Sequence, residues 1–248
     1  MAVFTPTITG LTSLTTENIN IDNNSITALN SSIEQVSYTG VSSNLLLNSQ
    51  EFDQSGWGAS RLDRTNDAAV APDGTTTAWK MAQVSGVTSA GFNQQSLTVA
   101  DGVTYTYSAY AKAGTNRNFI IIRETVLDGS SNESTFNLST VATSNVNSDH
   151  TAVISDAGNG WYRCSITFTA SGARSGNCPF YVSDGTVTVA DNQGFNYMWG
   201  AQFEIGSTPS TYLTTTSAAA VGLTGVTRGT SGTTAATASS GGVITIGS

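Results

Sequence analysis

From Asn159 to Ala170 the chain reads N-G-W-Y-R-C-S-I-T-F-T-A. Tyr162, Cys164, Ile166 and Phe168 alternate with Arg163, Ser165, Thr167 and Thr169. A period of two predicts a β-strand with one apolar and one wet face, and Asn159-Gly160 in front of it predicts a tight turn. The pattern returns near residue 200, where Phe195, Tyr197, Trp199, Ala201, Phe203 and Ile205 share one side and Asn196, Gln202 and Glu204 the other. Val103 to Lys112 predicts a third such strand, with Tyr105, Tyr107, Ala109 and Ala111 on its apolar face. Strands are also predicted over Ala78 to Val84, Phe92 to Val99 and Phe119 to Val126, where Ile120-Ile121-Ile122 marks a strand covered on both sides. Asn44 to Asn48, Cys178 to Val182 and Val187 to Val189 read as further short strands, and weaker signals fall at Phe136 to Val141 and Ala152 to Ile154. Pro72-Asp73-Gly74, Asp101-Gly102, Asp128-Gly129 and Asp184-Gly185 read as turns, and the polar run from Asp63 to Asp73 as a loop. Half-buried strands at this spacing must cover their apolar faces with one another, so the expected class is all-β, a jelly-roll β-sandwich.

Nearly all the aromatic residues, including the four tryptophans, lie in the middle of the chain. This divides it into an N-terminal arm (1–42), a sandwich domain (43–214) and a Ser/Thr/Gly-rich C-terminal arm (215–248). The arms carry only short β-branched pulses: Ile19, Ile21 and Ile26 at one end, Ile244 and Ile246 at the other. Pulses this short bury no core alone. Two readings follow: assembly strands that become stable when several copies wind together, or flexible tails.

Composition narrows the function classes. The chain has 248 residues, of which only 10% are charged, and a formal net charge of -8. Without clustered Lys and Arg, nucleic acid is not an expected partner. No run approaches the roughly 20 apolar residues of a membrane span, so no membrane partner is expected either. The first residues, Met-Ala-Val-Phe-Thr-Pro, show no signal-peptide pattern, and synthesis in a reducing cytosol is the expectation. Cys164 and Cys178 then read as two packed thiols, with a disulfide between neighbouring strands as the alternative.

Catalytic signals are sparse. His150 is the one histidine and sits in the polar run N-S-D-H-T, where a solvated loop residue is expected rather than a general base. Glu51, Asp53, Asp63, Asp67, Glu124 and Glu204 are the acids a glycosidase pair would draw on, but no two stand at a telling spacing. The expectation is therefore no enzyme. Calcium would draw its oxygens from the loop acids Glu51, Asp53, Asp63, Asp67 and Asp73, which lack an EF-hand spacing. Sugars stack on exposed aromatic rings. Trp57, Tyr110 and Tyr181 are the candidates that fall off a clear apolar face, whereas Trp79, Trp161 and Trp199 read as packing.

Five runs together carry a resemblance: N-L-L-L-N-S-Q-E-F-D-Q-S-G-W from Asn44, A-P-D-G-T-T-T-A-W-K, Y-T-Y-S-A-Y-A-K-A-G, G-N-G-W-Y-R-C-S-I-T-F and W-G-A-Q-F-E-I-G-S-T-P-S-T-Y-L. In order and spacing, over about Asn44 to Thr214, they resemble the carbohydrate-binding-module-like jelly roll of bacteriophage structural proteins. The stretch E-N-I-N-I-D-N-N-S-I-T is similar to short β repeats of phage tail and fibre proteins, and G-V-T-R-G-T-S-G-T-T-A-A to a motif near the ends of virion proteins. That motif often continues with a histidine, and here Thr237 stands near its place. The resemblance implies a virion component made in the host cytoplasm, a homo-oligomer, usually a trimer, with other virion proteins as partners. It also implies a tail fibre or other viral tail appendage acting in host attachment through a host-surface glycan. Capsid decoration and a stand-alone glycan-binding module are the alternatives. No organic cofactor is implied. A structural calcium is the one metal of the resembling modules: Asp53 stands where their first-strand acid lies, and Trp199-Gly200 where the last-strand ligand would be.

Overall fold

The computed structural model describes residues 42–190 and 194–220 in full. It adds the backbone of short strands within 19–20, 36–37, 40–41, 221–224, 227–228, 236–239 and 243–246. Every regular element among the described residues is a strand: β1 (Ile19–Asn20), β2 (Val36–Ser37), β3 (Gly40–Asn44), β4 (Gly58–Ser60), β5 (Leu62–Ala69), β6 (Ala78–Gln83), β7 (Gly91–Val99), β8 (Thr104–Lys112), β9 (Phe119–Glu124), β10 (Asn132–Asn137), β11 (Ala142–Ser144), β12 (Thr151–Gly158), β13 (Trp161–Thr169), β14 (Arg174–Ser183), β15 (Phe195–Ile205), β16 (Ala220–Thr224), β17 (Thr227–Arg228), β18 (Ala236–Ser239) and β19 (Val243–Ile246).

Two antiparallel sheets make the sandwich. The first has the order β11-β10-β9-β14-β7-β4 and the second β12-β13-β8-β15-β6-β5. Without their outermost strands, the layers read β7-β14-β9-β10 and β6-β15-β8-β13. The chain crosses between them at each step from β6 to β9, turns back through β10, and crosses again from β13 to β15. That path is the double Greek key of a jelly roll.

The core lies between the sheets. Tyr105, Tyr107, Ala109 and Ala111 of β8, Cys164, Ile166 and Phe168 of β13, Ile120 and Ile122 of β9, and Phe180 and Val182 of β14 meet there, all buried. The Tyr107 hydroxyl is wholly enclosed and donates to the Cys178 carbonyl at 2.9 Å, which satisfies the one polar atom its ring carries inward. Burial pushes both that hydroxyl and the two thiols far above their ordinary pKa values. The thiols are free, so the packed-thiol reading holds and the disulfide does not form.

Five sequence expectations change. Asn44 to Asn48 is not a strand: β3 ends at Asn44 and the chain then bends. The run from Asp63 is not a loop: Leu62–Ala69 pairs with β6 as the sheet's edge, where both faces stay polar and no alternation betrays a strand. The tenth strand lies four residues earlier than its apolar signal, over Asn132–Asn137, because Ser139 and Thr140 amides bond back to Asn137 and close a turn. Val187 to Val189 makes only an isolated bridge, Ser89 to Thr188. In β15 the predicted single apolar face is split by a bulge between Trp199 and Gln202. Gly200 sits at the bulge with φ +58°, the left-handed region that favours glycine. Before it, Tyr197 and Trp199 point outward; after it, Ala201 and Phe203 point into the core.

Asn44 holds the junction of arm and domain. Its amide nitrogen donates to the carbonyls of Ala201 (2.9 Å) and Leu213 (2.8 Å), and its oxygen accepts from the amides of Leu46 and Phe203, each at 3.2 Å. Outward from there the two arms pair with each other: β3 with β16, β2 with β17, and β1 with β19, which also pairs β18. The register sets Ile19 opposite Ile244 and Ala236 opposite Ile246. Part of the strand pairing expected from other copies is thus made within one chain. Ile21 and Ile26 lie outside the described residues.

Candidate functional site

A sandwich has two outer faces. That of the second sheet is covered. Trp161 and Trp199 pack among Ala71, Ala78, Tyr110 and Tyr212, and their ring nitrogens donate to the Val70 carbonyl (2.9 Å) and Thr77 hydroxyl (3.0 Å). The chain after β15 folds back over this face. Glu204, buried, accepts from Gln202 Nε2 (2.8 Å), the Ser210 amide (3.1 Å) and the Ser210 hydroxyl, and Arg163 donates to the Ser210 carbonyl. The Tyr212 and Ser49 hydroxyls meet at 2.7 Å. These bonds tie the covering segment down and leave little of the aromatic layer to solvent.

The outer face of the first sheet is open. Alternation along β7 sends Phe92, Gln94, Ser96 and Thr98 outward, and along β14 it sends Ser175, Asn177, Pro179 and Tyr181. The register joins them in rows: Phe92 with Tyr181, Gln94 with Pro179, Ser96 with Asn177, Thr98 with Ser175. Strand β9 adds Arg123, and β10 adds Glu133 opposite it. Ser96, Thr98, Ser175 and Asn177 are exposed. At one end Ile121 is sealed under Val187, Val189 and Ala90, which is why an isoleucine on an outer face is fully buried.

Across this face runs a stack of rings and guanidiniums. Phe92 and Tyr181 lie 5.1 Å apart. The Arg123 guanidinium lies 4.8 Å above the Tyr181 ring and donates to its hydroxyl oxygen at 2.9 Å. Glu133 accepts from Arg123 Nε (2.9 Å) and Nη2. At the other end the Arg61 guanidinium lies 5.2 Å above Phe92. Burial pushes the Tyr181 hydroxyl up, Arg123 pulls it back and Glu133 adds to the rise. The hydroxyl therefore keeps its proton, which it is free to donate while its oxygen accepts from Arg123.

The three predicted ring platforms are not brought together. Trp57 is only 6% exposed, edge-on to Phe52, and its ring nitrogen donates to the carbonyls of Leu47 (3.1 Å) and Asn48 (2.9 Å). It is a core residue, because the bend at Gly56 turns it under the 45–50 segment, and it presents no face to a sugar. Tyr110 lies on the covered face against Trp199, with the Arg163 guanidinium 5.4 Å above its ring. Tyr181 alone lies on the open face, 7% exposed. Asp53 is exposed and accepts from Gln54 Nε2 at 3.2 Å. Glu51 beside it is pushed up by burial and by the charges of Asp53 and Asp67. Among the described residues, no three His, Cys, Asp or Glu side chains converge as metal ligands.

His150 is not a solvated loop residue. It is 7% exposed and bonds Ser134 Oγ through Nδ1 (2.9 Å) and Glu124 Oε1 through Nε2 (3.3 Å). Glu124 Oε2 accepts from the amides of Val126 and Leu127, each at 2.6 Å. The order serine, histidine, carboxylate is that of a hydrolytic triad. Here the serine and the carboxylate are wholly enclosed, so no substrate reaches the hydroxyl, and the chain of bonds serves to bracket the ends of β9 and β10 to the loop before β12.

No protein-family model and no curated protein matches the chain. Solved structures similar to it include the enzymatically active domain of bacteriophage CBA120 tailspike protein 4, at 16% identity and TM-score 0.41 over 66% of this chain and 21% of that one. The Clostridium thermocellum xylanase 10B CBM22-1–GH10 modules, complexed with xylohexaose, are similar at 16% identity and TM-score 0.41 over 69% of this chain and 29% of theirs. TmCBM61 in complex with β-1,4-galactotriose is similar at 11% identity and TM-score 0.37 over 66% of this chain and 99% of that one. The chain thus spans less than a third of the first two.

Proposed function

We propose that this chain is a non-catalytic glycan-binding jelly roll whose ligand lies across the outer face of the first sheet. The observation that supports this most is the contrast between the two outer faces: one is roofed by its own chain, the other presents Gln94, Ser96, Thr98, Ser175, Asn177 and the Tyr181 hydroxyl in ordered rows. Amides and hydroxyls at strand spacing pair with the hydroxyls of a sugar. No acid–base pair suits glycoside cleavage there, since Glu133 is held by Arg123 and Glu124 and Glu204 are buried elsewhere. The test is a glycan array. Asn177→Ala and Gln94→Ala should each weaken binding by up to about tenfold, the worth of one neutral hydrogen bond, while Val153→Ala on the exposed edge strand β12 should not. Binding left unweakened by both substitutions refutes the placement.

A second reading places the domain on a tailed-phage particle, as a tail appendage or, with more copies, a capsid decoration protein. The pairing of the two arms with each other in short two- and three-stranded pieces favours it, since pieces too thin to hold a core are stabilised by joining others in an oligomer such as a trimer. Purified particles that lack the chain by mass spectrometry would end this reading.

A further inference from the structure

We infer that the open face selects an anionic glycan, one bearing carboxylate or phosphate, and that Arg61 is the selecting residue. The inference rests on the glycan-binding reading above and gives its ligand a charge. Phe92 and Tyr181 are the aromatics in the outward rows of β7 and β14, and each has a guanidinium over it, Arg61 at 5.2 Å and Arg123 at 4.8 Å. A ring face occupied in this way is not a platform for a sugar. The rings instead act as flat supports that fix two arginines in place, which lowers the freedom those side chains lose on binding.

The two arginines are not equivalent. Arg123 is neutralised by Glu133, which takes two of its donors. Arg61 bonds only neutral oxygens, the Ser60 hydroxyl (3.3 Å) and the Ala90 carbonyl (3.4 Å). Among the described residues it has no carboxylate within ion-pair distance, and its Nε has no partner. The outward residues of β7 and β14 are uncharged, so this face holds two cations and one anion in a chain of net charge -8.

Arg61 is also held by its backbone. Its φ is +53°, and its carbonyl accepts from the Val84 amide at 3.2 Å. Gly91 lies so close that a Cβ there would stand 2.4 Å from the Arg61 carbonyl oxygen. A cation held on a ring, short of a counter-ion and flanked by amides and hydroxyls suits an acidic sugar unit, whose charged oxygen it meets with a charge-assisted bond.

The experiment is affinity electrophoresis of the full chain through gels carrying polygalacturonate, poly(glycerol phosphate) or fully methyl-esterified polygalacturonate. Salt is set so that the Debye length is about 8 Å and net-charge effects are screened. We expect retardation by one or both acidic polymers and none by the ester; which acid retards tells carboxylate from phosphate. Arg61→Gln should cut the affinity about tenfold or more, and Arg61→Lys less, since it keeps the charge but not the planar fork. Lys80→Gln, on the other sheet, is the control and should change nothing. Equal retardation by ester and acid, or an unaltered Arg61→Gln variant, overturns anion selection while leaving glycan binding to the array. No retardation by any of the three polymers overturns this inference, and the array then decides the broader reading by itself.

Discussion

Replacing Glu124 tests the account of the His150 bracket. Its carboxylate satisfies three groups: the amides of Val126 and Leu127, each at 2.6 Å, and His150 Nε2 at 3.3 Å. Both side chains are wholly enclosed. Glu124→Ala leaves those groups without a partner, and each buried unsatisfied group costs about 1–3 kcal/mol. Allowing for partial rearrangement, the loss should total about 3–5 kcal/mol, at the large end for a single substitution. Glu124→Gln is the informative partner. Its amide oxygen still accepts from both backbone amides, and its NH2 faces Nε2. That contact is a bond if Nδ1 carries the proton and donates to Ser134, and the cost is then about 1 kcal/mol. The assay is urea unfolding followed by the fluorescence of the four tryptophans, all buried in the sandwich. Hydrogen exchange at Val126 and Leu127 adds a local readout. A loss below about 1 kcal/mol for the alanine variant would refute the claim that this carboxylate closes the end of β9. A glutamine variant as costly as alanine would show that the ring keeps its proton on Nε2 and does not shift it to Nδ1 to meet the amide.

Gly91→Ala forces a methyl group to 2.4 Å from the Arg61 carbonyl oxygen, a backbone atom that cannot swing aside. It should cost about 1–3 kcal/mol in urea and also weaken binding at the open face, because Arg61 moves with its carbonyl; unchanged stability would show that the β4–β5 bend is not held as described. Asp128 accepts from Asn132 Nδ2 (2.9 Å) and the Ser130 amide (2.8 Å), and these bonds hold its carboxyl below the usual range. A lowered folded-state pKa stabilises above the ordinary value of about 4, and that contribution is lost as pH falls through the lowered one. Asp128→Ala should therefore destabilise at neutral pH and converge on the wild type in strong acid. Parallel curves down to about pH 2 would refute this.

How far the sequence spoke depended on whether a signal was local. β8 and β13 were readable because core side chains alternate with mostly polar ones, although Thr106, Ser108 and Ser165 on the far side are themselves buried. β15 misled because Gly200 lets the strand slip its phase, and an alternation count passes straight through a bulge. β5 was hidden by being an edge strand with polar residues on both sides. The wet side of β7, Gln94, Ser96 and Thr98, was visible as alternation, but nothing along the chain showed that it would stay uncovered while the other sheet's face was roofed by residues after Ile205. Tyr181 was legible as an aromatic out of phase with the core. Arg61, Phe92, Arg123 and Glu133 were not, because they meet only through the pairing of separate strands. His150 was misjudged for the same reason: its partners are 16 and 26 residues away and its neighbours in sequence are polar.

Asn44 and Ala220 stand opposite each other, and from them the ladder of β3 and β16 runs outward to Gly40 and Thr224. A pull on the two ends would load that ladder one rung at a time, as a zipper opens, rather than shearing all rungs together. The ribbon would part at low force while the sandwich, entered and left at a single point, would feel almost no tension until the last rung had gone. A domain hung in this way is cushioned against mechanical load, and the same doorway would let it be grafted into a surface loop of an unrelated protein without stretching its host.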